Sequence, residues 1–279
     1  MKVLIIKRYL LIIIIAMSMI IGLFSGGCTG SASQEEQLKT TTLQIQAAVQ
    51  TELNSLDSDL SITASKLSKI GLNGSEVKQI LNDLCSKYSF TIECCTADAA
   101  GKMVVVAPEA YSRYEGTDIS LTDAAVKFNK TKEPMLSQVF LAVEGIDAVV
   151  LIWPILNEKN DFIGSLNALF KPGTFFDMLA KPILKGTTIE LNVMQVDGLN
   201  IYDSKGTDAG KNLLTDPTFQ PYKELVDLGA KIVAQESGSG NYIYIDRTTG
   251  ESVKKHAFWL SVKLNNTSWR LTSVQKVIE

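Results

Sequence analysis

The chain has 279 residues, of which 46% are apolar and 20% charged, so it has enough apolar material for one or two buried cores. The formal net charge is −3 and the pI is near 5.4. This acidic balance excludes nucleic acid as a main partner, because such a partner requires a basic face.

The N-terminal segment has the pattern of a targeting sequence. Lys2, Lys7 and Arg8 precede the apolar run Tyr9–Phe24. This order of charge and apolar residues predicts that the rest of the chain lies at the extracytoplasmic face of the cell membrane. Two interpretations stay open. Either the leader is cleaved and Cys28 is lipidated, or the run stays as a membrane anchor, since about 20 apolar residues can span a bilayer.

The next segment, residues 34–70, has helical spacing of its apolar residues. They recur at steps of three and four without Pro or Gly before Gly71, which predicts one long amphipathic helix. Its apolar stripe either packs along the domains that follow or forms the seam of a homodimer. The stripe comprises Ile45, Val49, Leu53, Leu56, Leu60, Ala64 and Leu67.

Three cysteines follow the helix. In an oxidising compartment, Cys85 could form a disulfide with Cys94 or Cys95, and only one of these two neighbours on a strand is expected to face it. The alternative is three buried thiols. A structural zinc would need a fourth ligand, and the only histidine, His256, is remote in sequence, so we predict no metal.

Two similar sets of strands divide the rest of the chain. Short runs rich in β-branched and aromatic residues, bounded by Gly, Pro and Asn, predict antiparallel strands. The first set is Ser137–Val143, Asp147–Leu156 and Phe162–Phe170, and the second is Asn241–Asp246, Val253–Val262 and Trp269–Val274. Upstream of each set, Gly116-Thr117-Asp118-Ile119 parallels Gly210-Lys211-Asn212-Leu213. These parallels predict an internal duplication.

Between the early strands of the first copy lies a loop that carries Tyr111, Arg113 and Tyr114. Aromatic rings with a guanidinium can hold a small anionic or zwitterionic ligand. In the alternative interpretation the two tyrosines cover the core and Arg113 is solvated. A short helix is predicted after this loop, at about Thr122–Asn129, and Pro217–Gln235 is predicted as mostly helical in the second copy.

The order of these motifs resembles the double Cache extracytoplasmic sensor domains. The resemblance is carried by the long helix, the Gly116 segment, Trp153-Pro154-Ile155 with Asp161-Phe162-Ile163-Gly164, and the closing Trp269-Arg270-Leu271. It implies an α+β fold in which a long N-terminal helix precedes two PAS-like modules, each an antiparallel sheet flanked by helices. The predicted divisions are a leader or anchor (1–28), a linker (29–33), a stalk helix (34–71), a membrane-distal module (72–172) and a membrane-proximal module (173–279).

The same resemblance implies a small-molecule site in the first module, between its sheet and a lid formed by Tyr111–Asn129. Carried over by position, the expected ligand-binding residues are Tyr111, Arg113, Tyr114, Asp118, Ser137, Gln138, Phe140 and Trp153. The ligand stays open among a carboxylate, an amine and an amino-acid-like compound. Arg113-Tyr114 is followed by Glu115-Gly116, which departs from the signature of the amino-acid-binding members.

The function expected from these features is a membrane-tethered sensor module that presents its ligand state to a partner protein. Family receptors continue into a signalling domain, whereas no apolar run follows Val274 here. The alternative is a structural or interaction lipoprotein that dimerises through the stalk. An enzyme is not expected, because there is no Gly-x-Ser-x-Gly motif for the single histidine to serve, and no cofactor is predicted.

Overall fold

The computed structural model describes residues 30–246 and 249–277. The predicted apolar run Tyr9–Phe24 and the candidate lipidation site Cys28 lie outside the described residues. Within the described ranges, no helix is both long and apolar enough to cross a bilayer.

The long helix α1 spans Gly30–Ile70 and packs against two sheets. Asp57 Oδ1 accepts hydrogen bonds from Trp153 Nε1 at 2.8 Å and from Asn265 Nδ2 at 3.3 Å, and Gln50 Nε2 donates to the Lys263 carbonyl at 2.7 Å. The predicted stripe from Ile45 to Leu67 is buried by these sheets. Of the two interpretations of the stripe, packing along the domains is therefore confirmed.

The first sheet and its helices form what we call the first module. Its elements are α2 (Ser75–Lys87), β1 (Thr91–Asp98), β2 (Met103–Ala107), a 3₁₀ helix (Glu109–Tyr114), α3 (Asp123–Thr131), β3 (Met135–Leu136), β4 (Phe140–Leu141), β5 (Asp147–Leu156) and β6 (Phe162–Phe170). The strand order is β2-β1-β6-β5-β3, with β4 also paired to β5, and all pairs are antiparallel.

The second sheet and its helices form the second module. Its elements are α4 (Pro172–Leu184), β7 (Glu190–Gln195), β8 (Asn200–Asp203), α5 (Lys223–Ala234), β9 (Ser237–Ile245), β10 (Ser252–Leu264) and β11 (Thr267–Lys276). The strand order β8-β7-β11-β10-β9 is again antiparallel throughout. The two modules therefore share one topology, as the repeated motifs predict.

The correspondence between modules holds residue by residue along β1 and β7. Each strand has a register irregularity at the same place, after Thr96 in β1 and after Val193 in β7. The following turns also match, since Gly101 and Gly198 both take positive φ, +86° and +92°. A Cβ at Gly101 would lie 2.7 Å from Ser120 Cβ, so glycine is required there.

Two predicted elements differ from the structure. The strand expected over Ser137–Val143 is broken into β3 and β4, because Val139 N leaves the ladder and donates to Gln195 Oε1 of the second module at 2.7 Å. The helix expected from Pro217 begins at Lys223, after a series of turns over residues 217–222. By contrast, β5 and β6 coincide with the predicted strands.

Candidate ligand-binding site

A cavity lies between the sheet of the first module and a lid made of α3 and the β4–β5 turn. Its volume is about 60 Å³. We call it the first-module cavity. The residues that bear on its chemistry are Glu93, Cys95, Asp98, Phe128, Phe140, Glu144, Phe162, Ser165 and Asn167.

The walls of the cavity are mainly apolar. Val150 and Ile152 of β5 face it from the sheet, and the rings of Phe128, Phe140 and Phe162 also line it. The centroids of Phe128 and Phe162 are 6.0 Å apart in a tilted arrangement. Such a lining favours a ligand with a hydrocarbon part, because burying apolar surface is favourable.

Glu93 lies on β1 with its side chain on the cavity face. Side chains alternate along a strand, so Glu93 and Cys95 face the cavity while Cys94 packs in the core on the α1 side of the sheet. Glu93 is only 3% exposed, and its Oε2 atom has no hydrogen-bond partner among the described residues. Burying such an oxygen without a donor costs folding free energy, so its retention calls for a reason.

Glu144 occupies the turn that joins β4 to β5. Gly145 N donates to the Ala142 carbonyl at 2.9 Å, which closes the turn with Glu144 near its centre. A charged turn residue usually projects into solvent. Here Glu144 is half-buried and lines the cavity, and its Oε1 atom is buried without a hydrogen-bond partner in the described part of the chain.

The carboxyls of Glu93 and Glu144 interact directly. Burial, followed by the charge of Glu144, raises the pKa of Glu93 to about 8, and burial also raises the pKa of Glu144. At neutral pH Glu93 is therefore mostly protonated. Neither Glu93 Oε2 nor Glu144 Oε1 has a hydrogen-bond partner in the described chain, and both residues line the cavity.

The other polar groups of the lining are engaged within the protein. Asn167 Nδ2 donates to Ser165 Oγ at 3.1 Å, and Asp98 Oδ1 accepts from the backbone N–H groups of Ala100 and Lys102, both at 2.9 Å. Cys95 is buried, and burial is the main cause that raises the pKa of its thiol. In the described part of the chain, the buried side-chain atoms of the lining that have no hydrogen-bond partner belong to the two glutamates.

Of the residues predicted for the site, Tyr111, Arg113 and Tyr114 lie beside the cavity and not in its lining. The two tyrosine rings stack at 6.4 Å and pack on a small core that contains Cys95 and Met103, which do line the cavity. Arg113 is exposed, and its guanidinium lies 5.0 Å from the Tyr114 ring centroid. The structure thus has the arrangement in which the tyrosines cover core residues.

The remaining predicted residues have different surroundings. Phe140 lines the cavity. Ser137 is buried and its Oγ accepts from Val150 N at 2.9 Å, whereas Gln138 is half-buried with an unpaired Oε1, and Asp118 is an exposed turn residue that accepts from Ser120 N.

Trp153 requires a correction. It was expected to face the ligand, but its ring lies on the opposite face of β5, where Nε1 donates to Asp57 of α1. The reason is strand alternation, because Val150 and Ile152 take the cavity face and Trp153 must then take the other.

The three cysteines are buried thiols in the structure. Cys85, Cys94 and Cys95 are free and buried, so the disulfide between Cys85 and one of the other two is not formed in the structure. As predicted, only one of the strand pair faces Cys85. A hydrogen bond from Cys94 is the main cause that lowers the pKa of Cys85 to about 7.

Sequence reasoning missed Glu93 and Glu144. They are 51 positions apart, and each reads locally as ordinary, one inside a strand and the other in a turn. The one available signal is a charged residue at an inward position of an otherwise apolar strand, beside Cys94 and Cys95. No local pattern indicates that Glu144 folds inwards.

The second module has cavities in the corresponding place, under α5. One has a volume of about 90 Å³ and adjoins a second, more polar one of about 190 Å³ that is lined by Glu190. Glu190 occupies the position on β7 that Glu93 has on β1, but it forms ion pairs with Lys255 and with Lys205, the latter at 2.8 Å. The equivalent carboxyl is therefore paired with lysines in the second module and has no such partner in the first.

Comparison with known proteins identifies the fold. Residues 51–172 match the family model described as HK/GC/Chemotaxis protein-like, sensor domain. The extracellular ligand binding receptor from Desulfohalobium retbaense is 30% identical with a TM-score of 0.71, and the match covers 86% of this chain and 39% of that one. No curated protein sequence matches the chain.

Two further solved structures are similar in fold. The ligand-binding domain of the Pseudomonas fluorescens chemoreceptor CtaA, in complex with L-alanine, has a TM-score of 0.63 at 11% identity, covering 87% of this chain and 97% of that one. The Pseudomonas aeruginosa amino acid chemoreceptor PctC, in complex with GABA, has a TM-score of 0.57 at 13% identity, covering 88% and 99%. The fold, a long N-terminal helix followed by two PAS-like (Cache) modules, is similar to the fold of these domains.

Proposed function

We propose that this chain is an extracytoplasmic small-molecule sensor module whose ligand binds in the first-module cavity. The observation that carries the proposal is a cavity walled by aromatic rings and lined by two carboxyls, each with a buried oxygen atom that has no hydrogen-bond partner in the described chain. Solved structures of similar fold include chemoreceptor domains in complex with L-alanine and with GABA, which supports a ligand-binding role.

The structure suggests how occupancy could be passed on. Strand β5 exposes Val150 and Ile152 to the cavity on one face and Trp153 to α1 on the other. Asp57 of α1 also accepts a hydrogen bond from Asn265 of the second module. A shift of β5 on ligand binding would therefore change contacts of α1 with both modules, and α1 leads towards the N-terminal segment.

The setting of the sensor is also a proposal. We infer that the N-terminal segment tethers it to the membrane, either through lipid on Cys28 or through the apolar run Tyr9–Phe24. The second module, residues 173–279, contacts the N-terminal part of α1 through Gln34 and Lys276 and would then be membrane-proximal. A partner protein would read the ligand state. The chain spans 39% of the Desulfohalobium receptor that it matches.

The alternative of a lipoprotein that dimerises through the apolar stripe of α1 is less well supported. Ile45, Leu53, Leu60 and the other stripe residues are already buried by the two sheets of the same chain. A dimer built on this stripe would have to separate α1 from both modules.

The test is ligand-dependent thermal stabilisation of the full-length chain against a broad panel of amines, organic acids, amino acids and purines. A ligand that binds only the folded state raises its stability, by about 2.7 kcal/mol at a hundredfold excess over Kd. Ala125→Trp should remove the shift, because Ala125 lines the cavity. Val126→Trp is the matched control, since Val126 is exposed on the same helix and does not line the cavity.

The proposal requires at least one compound that stabilises the wild-type chain and Val126→Trp but not Ala125→Trp. It is contradicted if no compound in the panel changes the melting temperature, or if stabilising compounds act equally on both variants.

A further inference from the structure

The ionisable side chains that line the first-module cavity are acidic or thiol groups. Glu93, Asp98 and Glu144 line it, and no Lys, Arg or His among the described residues does. Lys132 is close to the lid, with Nζ 4.5 Å from the centroid of the Phe162 ring, but it forms no ion pair with Glu93 or Glu144. The cavity thus presents negative charge without a protein counterion.

The two carboxyls do not have the hydrogen bonds that a structural role would require. Glu93 is only 3% exposed, yet its Oε2 atom has no hydrogen-bond partner in the described chain. The Oε1 atom of Glu144 is likewise buried without a partner. Both atoms are acceptors at the cavity wall. A ligand that supplies N–H donors and positive charge would satisfy them, with charge-assisted hydrogen bonds that are about twice as strong as neutral ones.

In the second module, lysine side chains of the protein neutralise the equivalent carboxyl. Glu190, the counterpart of Glu93, pairs with Lys205 and Lys255. The strand registers place Pro108 and Ala148 of the first module at the positions of these two lysines. The first module therefore lacks both internal cations at the site where it keeps the acid.

From these observations we propose that the first-module cavity binds a small primary amine that carries no carboxylate, with its ammonium group held by Glu93 and Glu144. The inference rests on the function proposed above and names the chemical class of its ligand. The hydrocarbon part of the amine packs among Phe128, Phe140 and Phe162.

Three features select this class over its neighbours. A metal ion is disfavoured, since no group of three His, Cys, Asp or Glu side chains in the described ranges is arranged to hold one. A quaternary ammonium has no N–H to give to the unpaired oxygens of Glu93 and Glu144. An amino acid brings a carboxylate, which would enter an acidic cavity without a basic partner.

Binding of such a cation should be linked to protons. The groups that bear on Glu93 are Glu144 from the β4–β5 turn, Cys95 from its own strand and Cys85 from α2. An ammonium favours the ionised form of Glu93 and so displaces the proton that Glu93 holds at neutral pH. The affinity should therefore increase as the pH is raised from 6 towards 8, by at most about tenfold per pH unit.

The experiment is calorimetric titration of the full-length chain with phenethylamine and with 1,5-diaminopentane, each at pH 7.5. The matched probes are 3-phenylpropionate, 3-phenylpropanol, phenylalanine and GABA, which replace the ammonium or add a carboxylate. We expect the amines to bind, and the acid, alcohol and amino acids to bind at least tenfold more weakly. Glu93→Gln and Glu144→Gln should each weaken amine binding at least tenfold.

Glu190→Gln is the matched control, because it makes the same change at the equivalent position of the second module and should leave amine binding unchanged. The inference is overturned if neither amine binds at millimolar concentration, if the carboxylates bind as well as the amines, or if Glu93→Gln has no larger effect than Glu190→Gln.

These outcomes separate the inference from the function on which it rests. A carboxylate or a purine that binds the wild-type chain and not Ala125→Trp would overturn the amine class and keep the sensor function. Failure of the whole panel to bind or stabilise the chain would contradict both.

Discussion

Glu93 and Glu190 occupy the same position in two copies of one module, and their surroundings differ. Glu190 is held by two lysines and belongs to the scaffold of the second module. Glu93 has no basic partner in the described chain and faces Glu144 in a cavity with aromatic walls. The comparison shows that two copies of one fold keep an acid at the same position, paired with lysines in one copy and without a basic partner in the described part of the other.

The largest loss of stability expected from this comparison is that of Glu190→Gln. Glu190→Gln removes the counter-charge of Lys255, whose side chain is 7% exposed, and an uncompensated buried charge is costly. We expect the free energy of unfolding to fall by about 3 kcal/mol, measured by urea denaturation. If the loss is no larger than that of an exposed pair such as Lys223–Asp227, the structural role of Glu190 is wrong.

Glu93→Gln is expected to raise the free energy of unfolding relative to wild type as the pH increases. Because the pKa of Glu93 is raised from 4.5 to about 8, the folded state binds this proton more tightly than the unfolded state, so wild-type stability falls as the pH rises between these values. Glutamine cannot ionise. The stability of Glu93→Gln relative to wild type should therefore grow between pH 5 and pH 8, by up to about 1.4 kcal/mol per pH unit.

Urea denaturation of both proteins across this pH range measures the difference. A difference that does not change with pH would show that Glu93 is not the group that keeps its proton. Glu190→Gln serves again as the control, since it should be less stable than wild type throughout.

A smaller and equal effect is expected at the paired turns. Gly101→Ala and Gly198→Ala each force a side chain into positive φ, with the new Cβ 2.7 Å from Ser120 Cβ or 2.9 Å from Asn212 Oδ1. Each should lower the unfolding free energy by about 1–3 kcal/mol. Gly71→Ala, with φ +89° and nothing within 4 Å, is the control for backbone strain alone and should cost less.

If Gly101→Ala and Gly198→Ala differ by more than the cost of Gly71→Ala, the two turns are not equivalent. The register that aligns Glu93 with Glu190 would then need revision.

The smallest effect is expected at Trp153, on the face of β5 away from the cavity. Trp153→Phe keeps most of the packing on α1 and loses the hydrogen bond to Asp57, at a cost of about 1 kcal/mol in unfolding free energy. The affinity for the ligand should not change. A loss of binding in Trp153→Phe, with Val126→Trp unaffected, would place Trp153 in the site after all.

Much of the fold could be predicted from the sequence, because the relevant signals are local. The apolar spacing of α1 and the β-branched runs of β5 and β6 determine those elements, and repeated Gly-containing turns indicate the duplication. The break between β3 and β4 was not predictable. It depends on Gln195, which accepts from Val139 N across 56 positions of sequence.

The site was harder to predict than the fold. The aromatic and arginine loop attracted attention because Tyr111, Arg113 and Tyr114 are close in sequence, but the structure uses the tyrosines to cover core residues. Glu93 and Glu144 come together only through folding. Glu93 and Glu144 are significant because they have no basic partner in the described chain. The contrast with Glu190, which pairs with Lys205 and Lys255, makes this clear.

The claim that Glu93 and Glu144 bind an ammonium group is tested most directly by counting the protons released when phenethylamine binds. This number is obtained by calorimetry at pH 7 in two buffers of different ionisation enthalpy. Glu93 is mostly protonated at this pH, so the account predicts release of close to one proton per bound amine by the wild-type chain. Glu93→Gln should release none at saturating amine. Equal proton release by wild type and Glu93→Gln, or none by either, would contradict it.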